Sequence, residues 1–277
     1  MSDLRIAAIR LVCRDVASSA QFFQDAFGCH PVAAAKPDMA GGMVIGLGAQ
    51  RLHLVPTTAE AEDIRRAEEA GTEAPSNASS FQHCAIIVSR MGDAMAQLER
   101  TSGWTAISEA GPERLPAASG GATAFKFRDP DGHPLEFLEF PAGAVPDHLR
   151  EAEASNPCLG IDHSAITVAD VDRAITFYEG LGFRVAGRQC NEGAEQGRMD
   201  GLGSFARCEV VTLRLPGDPA PHLELLGYRE PRVIMKEVAD DSPFATTLLL
   251  ARSERPAESL RDPDGHRLEF RREPAVS

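Results

Sequence analysis

FQHCAIIV at residues 81–88 and IDHSAITV at residues 161–168 read as one short strand written twice, with a histidine at the same place in each. Both runs are of strand length and rich in Ile, Val and Ala, and both are followed at once by a polar residue and a helical spacing of apolar side chains. The spacing is Met91, Met95, Leu98 after the first run and Val171, Ile175, Tyr178 after the second. A third copy opens the chain: the apolar run 6–13 precedes Val16, Ala20 and Phe23. Each helix therefore has one apolar face. Asp15 and Asp170 stand where a carboxylate accepts backbone N–H groups at a helix start, and Gly28, Gly103 and Gly182 fall where a left-handed residue ends one.

After each helix come Gly-rich turns and short strands, closing at residues 51–55, 135–140 and 222–226. The unit is strand, helix, then a meander of strands. The interval from first to last strand runs from residue 8 to 53, from 83 to 136 and from 163 to 224, but only from 246 to 269 in a fourth copy. Residues 243–270 thus form a reduced unit that lacks the helix and at least one strand. Residues 141–160, with three prolines and a charged segment, read as a linker. Residues 59–80, acidic and Ala-rich and then rich in Pro, Ser and Asn, read as a short helix plus loop.

A chain of 277 residues suits two domains. The formal net charge of −13, from 28 Lys and Arg against 41 Asp and Glu, repels phosphate backbones and anionic lipid heads, which disfavours nucleic acid and membrane as partners. No apolar run approaches the roughly 20 residues needed to span a bilayer, and residues 1–10 read poorly as a secretory signal; a cytoplasmic protein is expected. The six cysteines lie far apart without a C-x-x-C pair and read as reduced structural thiols. Ser18, Ser19, Cys84 and Cys208 carry no local signature of a nucleophile with its base.

Together with the closing turns DPDGHPLEF (129–137) and DPDGHRLEF (262–270), the repeated unit resembles the vicinal oxygen chelate superfamily, also called the glyoxalase, bleomycin-resistance and extradiol dioxygenase superfamily. The resemblance runs from about Leu4 to about Phe270. It implies an α+β fold: tandem βαβββ modules paired into two incomplete β-barrels, the fourth module truncated. The domains expected are 1–141 (modules one and two) and 159–277 (modules three and four), with residues 142–158 as linker.

The resemblance also implies a divalent metal held by residues from the first and last strand of each paired module. Pairing modules one and two places these positions on Ala8, His53, His83 and Glu136; Ala8 cannot ligate, which leaves His53, His83 and Glu136, with Glu136 also the candidate catalytic base. Two imidazoles and one carboxylate suit Fe(II) with open positions or a catalytic Zn(II), with Mn, Co and Ni left open. Pairing modules three and four gives a weaker set, His163, Glu224, Thr246 and Glu269, in which Arg267 and Arg271 share the strand face of Glu269. Should modules pair between chains of a homodimer, the ligand sets are reshuffled.

His133 and His266 sit in the DPDGH turns, where a structural role is expected. Residues 191–200, NEGAEQGRMD, form a polar segment that reads as a solvated loop or as a substrate contact through Glu195, Gln196 or Arg198. The substrate expected is a small molecule that chelates the metal through neighbouring oxygens. Three function classes remain: proton transfer of the lyase or isomerase kind; non-haem Fe(II) dioxygenation; and small-molecule binding or resistance without turnover. Ring cleavage loses ground because Lys126 and Ser259 stand where ring-cleaving members of the family carry Tyr. The low aromatic content argues against a stacking drug pocket.

Overall fold

The computed structural model describes residues 4–32, 40–60, 74–115, 120–145, 156–217, 221–252 and 257–272. Module one comprises β1 (Arg5–Cys13), α1 (Val16–Phe27), β2 (His30–Pro31), β3 (Met43–Leu47) and β4 (Gln50–Pro56). Module two comprises β5 (Gln82–Val88), α2 (Met91–Leu98), β6 (Thr105–Ala106), β7 (Glu113–Arg114), β8 (Thr123–Arg128) and β9 (Pro134–Glu139). Module three comprises β10 (Cys158–Thr167), α3 (Val171–Leu181), β11 (Arg184–Gly193), α4 (Ala194–Met199), β12 (Ala206–Arg214) and β13 (His222–Glu230). Module four keeps β14 (Thr246–Arg252), β15 (Glu258–Arg261) and β16 (Arg267–Arg272), with no helix among the described residues. The helix expected within 59–80 falls largely on residues 61–73, outside the described residues, as does most of the expected linker.

Local chemistry sets the helix ends. Asp15 accepts the Ser18 N–H at 2.8 Å and Asp170 accepts the Arg173 N–H at 3.0 Å, which satisfies donors of the first turn. Gly28 and Gly182 close α1 and α3 in the left-handed region, at φ 73° and 118°. Helix α2 differs: Glu99 is its C-cap, and Gly103 lies in the loop that follows.

The strands form two open sheets, in the orders β15-β16-β14-β1-β4-β3-β2 and β11-β12-β13-β10-β5-β9-β8-β6, with β7 added beside β8. Within each module the first strand runs parallel to the last. Its other edge is closed by the first strand of a different module, antiparallel: β1 with β14 and β5 with β10. Module one therefore shares a sheet with module four, and module two with module three. The side-by-side pairing of modules one with two and three with four, expected from chain order, is not the pairing of the sheets, and each sheet draws on both halves of the chain.

Side-chain size accounts for the partner choice. His83 faces Ala165 and His163 faces Ala85 across the β5–β10 ladder, so each imidazole has only a methyl group opposite it. Pairing β5 with β1 in the same register would set His83 against Arg10, whose long side chain would fill the space beside the imidazole.

Modules adjacent in the chain meet instead through helices and turns. Phe27 of α1 lies 6.1 Å from Phe127 and 5.8 Å from Phe137 of module two, edge-on to the latter. Both DPDGH turns dock onto the helix start of the preceding module: Ser19 donates to Asp131 at 2.6 Å, and Ala169 N–H donates to Asp264 at 3.1 Å. Phe23, Phe27, Phe127, Phe137, Phe183 and Phe270 are fully buried in one core that spans all four modules. Truncating one of them to Ala costs about 3–5 kcal/mol.

Within each turn the first aspartate is the organiser. Asp129 Oδ1 accepts N–H groups of Asp131 and His133, at 3.0 and 2.8 Å, and Asp262 Oδ1 does the same for Asp264 and His266, at 2.9 Å each. Gly132 needs its left-handed φ of 94°, and a Cβ there would lie 2.7 Å from the Phe244 ring. His133 Nδ1 lies 2.9 Å from Asp129 Oδ2, fully buried.

Burial alone would lower the His133 pKa, but the Asp129 carboxylate outweighs it and holds the group above its ordinary 6.5. A pKa raised on folding stabilises the protein fully below the unfolded value of 6.5, and that stabilisation is lost as pH rises through the folded pKa. His133→Gln should therefore be most destabilised relative to wild type near pH 5.5–6, with the gap narrowing at higher pH. Urea denaturation of both proteins across that range measures it; a gap that widens with pH contradicts the assignment.

Candidate metal centre

The β5–β10 register lays functional side chains in two parallel rows across sheet two. In one row His222 of β13, His163 of β10, Ala85 of β5, Glu136 of β9 and Lys126 of β8 are successive partners. In the other, Thr212 of β12, Glu224 of β13, Ala165 of β10 and His83 of β5 are partners. Partners across a ladder point to the same face, as do residues two apart on a strand. Two alanines, neither with any exposed surface, thus form the floor between two histidines and two glutamates.

Three of the donors converge, and the fourth, Glu224, approaches His163. His83 Nε2 lies 3.2 Å from Glu136 Oε2, and His163 Nε2 lies 3.6 Å from both Glu136 Oε2 and Glu224 Oε2. Donors bound at about 2.0–2.2 Å to one cation stand roughly 2.9–3.5 Å apart along the edges of an octahedron or tetrahedron. The 3.2 Å spacing falls within that range and the 3.6 Å spacings lie just above it; His83, Glu136 and His163 form one group able to hold a metal ion, and Asp162, His163 and His222 a second that shares His163.

Charge points the same way. Glu136, Asp162, Asp200 and the largely buried Glu224 crowd this region against the single buried ammonium of Lys126. Burial would raise the Glu136 pKa, but Lys126, His83 and His163 outweigh it and hold the carboxyl well below the usual range. Glu224 is likewise pulled to about 2, burial being outweighed by His163 and His222. Burial and Lys126 push His83 below its ordinary value, whereas at His163 burial is outweighed by Glu224, Asp162 and Glu136, and its pKa stands well above. Ionised carboxylates at this depth need positive charge beside them, and a proton on His163 or a bound cation supplies it. The donor set fits a divalent cation.

A cavity of about 390 Å³ opens over these side chains, large enough for a small molecule. Leu115, Leu138, Phe140, Met199 and Leu226 supply apolar wall, and Gln189, Asn191 and Gln196 polar wall. The segment 191–200 is thus the end of β11 plus α4, not a free loop. Gln196 reaches the cavity, while Arg198 is held by Glu113 at 2.5 and 3.1 Å.

His53 and Glu269 are not brought to this centre. Both lie in sheet one, where the equivalent rows read Thr247, Arg10, His53 and Ala8, Leu249, Glu269. Thr247, rather than the expected Thr246, occupies the row position: it partners Arg10, and Leu249, two residues on, partners Glu269. Where sheet two has Ala85 and Ala165, sheet one has Arg10 and Leu249. The Arg10 guanidinium pairs with Glu269, which Arg271 also holds at 2.7 Å, so a side-chain cation fills the space that sheet two leaves open. Arg267 instead grips Asp240 at 2.7 Å. His53 is pushed down to about 4 by burial and by Arg10 and Arg51.

The set His163 and Glu224, expected beside Glu269, joins His83 and Glu136 instead. A signal for this was present in the sequence: modules two and three each carry a His on the first strand and a Glu on the last.

These features define an α+β protein of paired strand–helix–meander modules with a buried cluster of His83, Glu136 and His163, beside which Glu224 lies, among the described residues. The model of the Glyoxalase/Bleomycin resistance protein/Dioxygenase superfamily matches residues 5–137 and 160–240, and the chain belongs to that superfamily. Among solved structures, glyoxalase I from Zea mays is similar at 16% identity and a TM-score of 0.61, over 97% of this chain and 92% of that one. A putative dioxygenase from Bacillus subtilis subsp. subtilis str. 168 is similar at 14% identity and a TM-score of 0.58, over 96% and 84%. At such identities the likeness is one of fold. No curated protein matches the chain. No helix among the described residues is long and apolar enough to cross a membrane.

Lys126 and Asp200 form a 2.6 Å ion pair under the centre, with 3% and 0% of their side chains exposed. Removing one partner of such a pair leaves an uncompensated buried charge, at about 3–5 kcal/mol. Lys126→Met should lose about that much stability in urea denaturation, and the double variant Lys126→Met/Asp200→Leu should recover most of it. A double variant no more stable than the single one would show that packing, not charge, sets the cost.

Proposed function

We propose that this protein is a metal-dependent enzyme that moves a proton on a small substrate presenting two neighbouring oxygens, a reaction of the lyase or isomerase kind. The observation that carries the reading is the convergence of His83, Glu136, His163 and Glu224 beneath one cavity. The two borderline nitrogens of His83 and His163 and the hard oxygen of Glu136 suit Zn(II) or Fe(II), and also Mn, Co or Ni. When bound, such a cation polarises the substrate oxygens and so acidifies the adjacent C–H.

The two glutamates divide the remaining work. Glu136 is buried among Lys126, His83 and His163, which keeps it ionised and fixed, so it serves as a ligand. Glu224 is the more exposed carboxylate, at 19%, and lies beside the Thr212 hydroxyl at 3.3 Å, His222 at 3.4 Å and His163 at 3.6 Å. It faces the cavity and is the better placed to take a proton from substrate carbon and return it to the neighbouring carbon. The base role expected of Glu136 thus passes to its counterpart on β13.

His83, His163 and Glu136 match the two-histidine, one-carboxylate set of non-haem Fe(II) oxygenases; the additional carboxylate of Glu224 beside them, placed to accept a proton, is what favours proton transfer over oxygenation. Metal analysis of the purified protein should give about one cation per chain. His83→Ala and His163→Ala should each lower occupancy at least tenfold, with His53→Ala at the wild-type level. Loss of metal in His53→Ala, with retention in His163→Ala, would reject the assignment. With a small α-hydroxycarbonyl probe, exchange of the substrate C–H in deuterium oxide without oxygen uptake supports the reaction. Oxygen consumption would replace it with dioxygenation, and binding without exchange with a sequestering role.

A further inference from the structure

Both imidazoles of the centre need their rings held at a fixed angle, yet the two are supported differently. His83 Nδ1 is buried and has no hydrogen-bond partner. Its chain neighbour Gln82 turns away and donates to Ser164 at 2.9 Å. His163 Nδ1, by contrast, lies 2.9 Å from Oδ2 of its own chain neighbour, Asp162.

Adjacent residues of a regular strand point to opposite faces, so a side chain does not normally reach its immediate neighbour's. The β5–β10 ladder is irregular at this point. Ile161 partners Ile86 and His163 partners Ala85, so β10 advances two residues while β5 advances one, and Asp162 is the extra residue of a β-bulge. A bulge turns both residues toward the same side, and Asp162 and His163 both line the cavity. Sheet one has the same irregularity at Ala7, between Ile6 and Ala8, but there both positions are alanines. The backbone device recurs in both sheets, and only the copy at the four-donor centre carries a carboxylate next to a histidine.

Resting on the metal-centre reading above, we propose that Asp162 is a positioning residue: it accepts the His163 Nδ1 proton, fixes the tautomer that leaves Nε2 unprotonated, and aims that nitrogen at the point between Glu136 and Glu224. A carboxylate behind a ligating imidazole also raises its basicity as a donor, and loss of such a partner typically weakens metal binding by about tenfold to a hundredfold. The two histidines are then unequal ligands. His163 is preset from behind, whereas the ring of His83, packed 5.8 Å from Phe81, has no partner at Nδ1.

The test is a chelator competition with Zn(II) on the full chain, with long-range 15N–1H NMR of the histidine rings in the loaded protein. Asp162→Ala should weaken the Zn(II) Kd by about tenfold to a hundredfold and leave the His163 ring in mixed tautomers. Asp162→Asn, which keeps an oxygen able to accept from Nδ1 but loses the charge, should fall between Asp162→Ala and wild type and retain a single tautomer. Gln82→Ala, at the corresponding position on β5, should bind as wild type. Folded Asp162→Ala and Asp162→Asn proteins with wild-type Kd overturn the proposal and leave the metal centre standing. Weakened binding with an unchanged tautomer also overturns it, because Asp162 would then act through charge alone. Wild-type protein that takes up no Zn(II) overturns both.

Discussion

One ladder governs this molecule: the antiparallel contact between β5 and β10, in the register that sets each histidine against an alanine. A slip of one residue would turn every side chain to the opposite face and scatter the four donors. A larger residue in place of either alanine would fill the ground between them. The neighbouring parallel contacts with β9 and β13 add Glu136 and Glu224 to the same rows, so two short ladders suffice to bring together residues as far apart in the chain as His83 and Glu224.

Sheet one shows what the same framework becomes when that condition is relaxed. It keeps the strand order and the bulge in its first strand, but Arg10 and Leu249 stand in place of the two alanines and Ala8 and Thr247 in place of the histidines. Glu269 persists and is neutralised by arginines. A protein side chain thus supplies the positive charge, and the sheet serves as scaffold and shared core.

Most of the architecture was legible in the residues. The apolar runs and the i, i+4, i+7 spacing marked three complete modules and a reduced fourth, with capping aspartates in two of them, because those features act within a few residues of one another. Partner choice between modules was not legible from chain order. It depends on which open strand edge meets which, and the clue lay in module content: two modules carry a complete His and Glu pair, and two do not. Ala8 and His53 were therefore read with the wrong neighbours. The places of Asp162 and Lys126 in the site were not legible for a related reason. A bulge breaks the alternation by which a strand is read, and the role of a buried lysine shows only once Asp200 of another module is beside it.

The sheets pair the modules as nested brackets, one with four enclosing two with three, and β1 and β16 both flank β14. The four units therefore stand in a ring whose order has no intrinsic starting point. A polypeptide opened between the second and third units and rejoined between the fourth and first would keep every strand contact while exchanging inner brackets for outer. The fold has in this sense a rotational freedom of connectivity, and the location of its chemistry follows the identity of the units, not their rank along the chain.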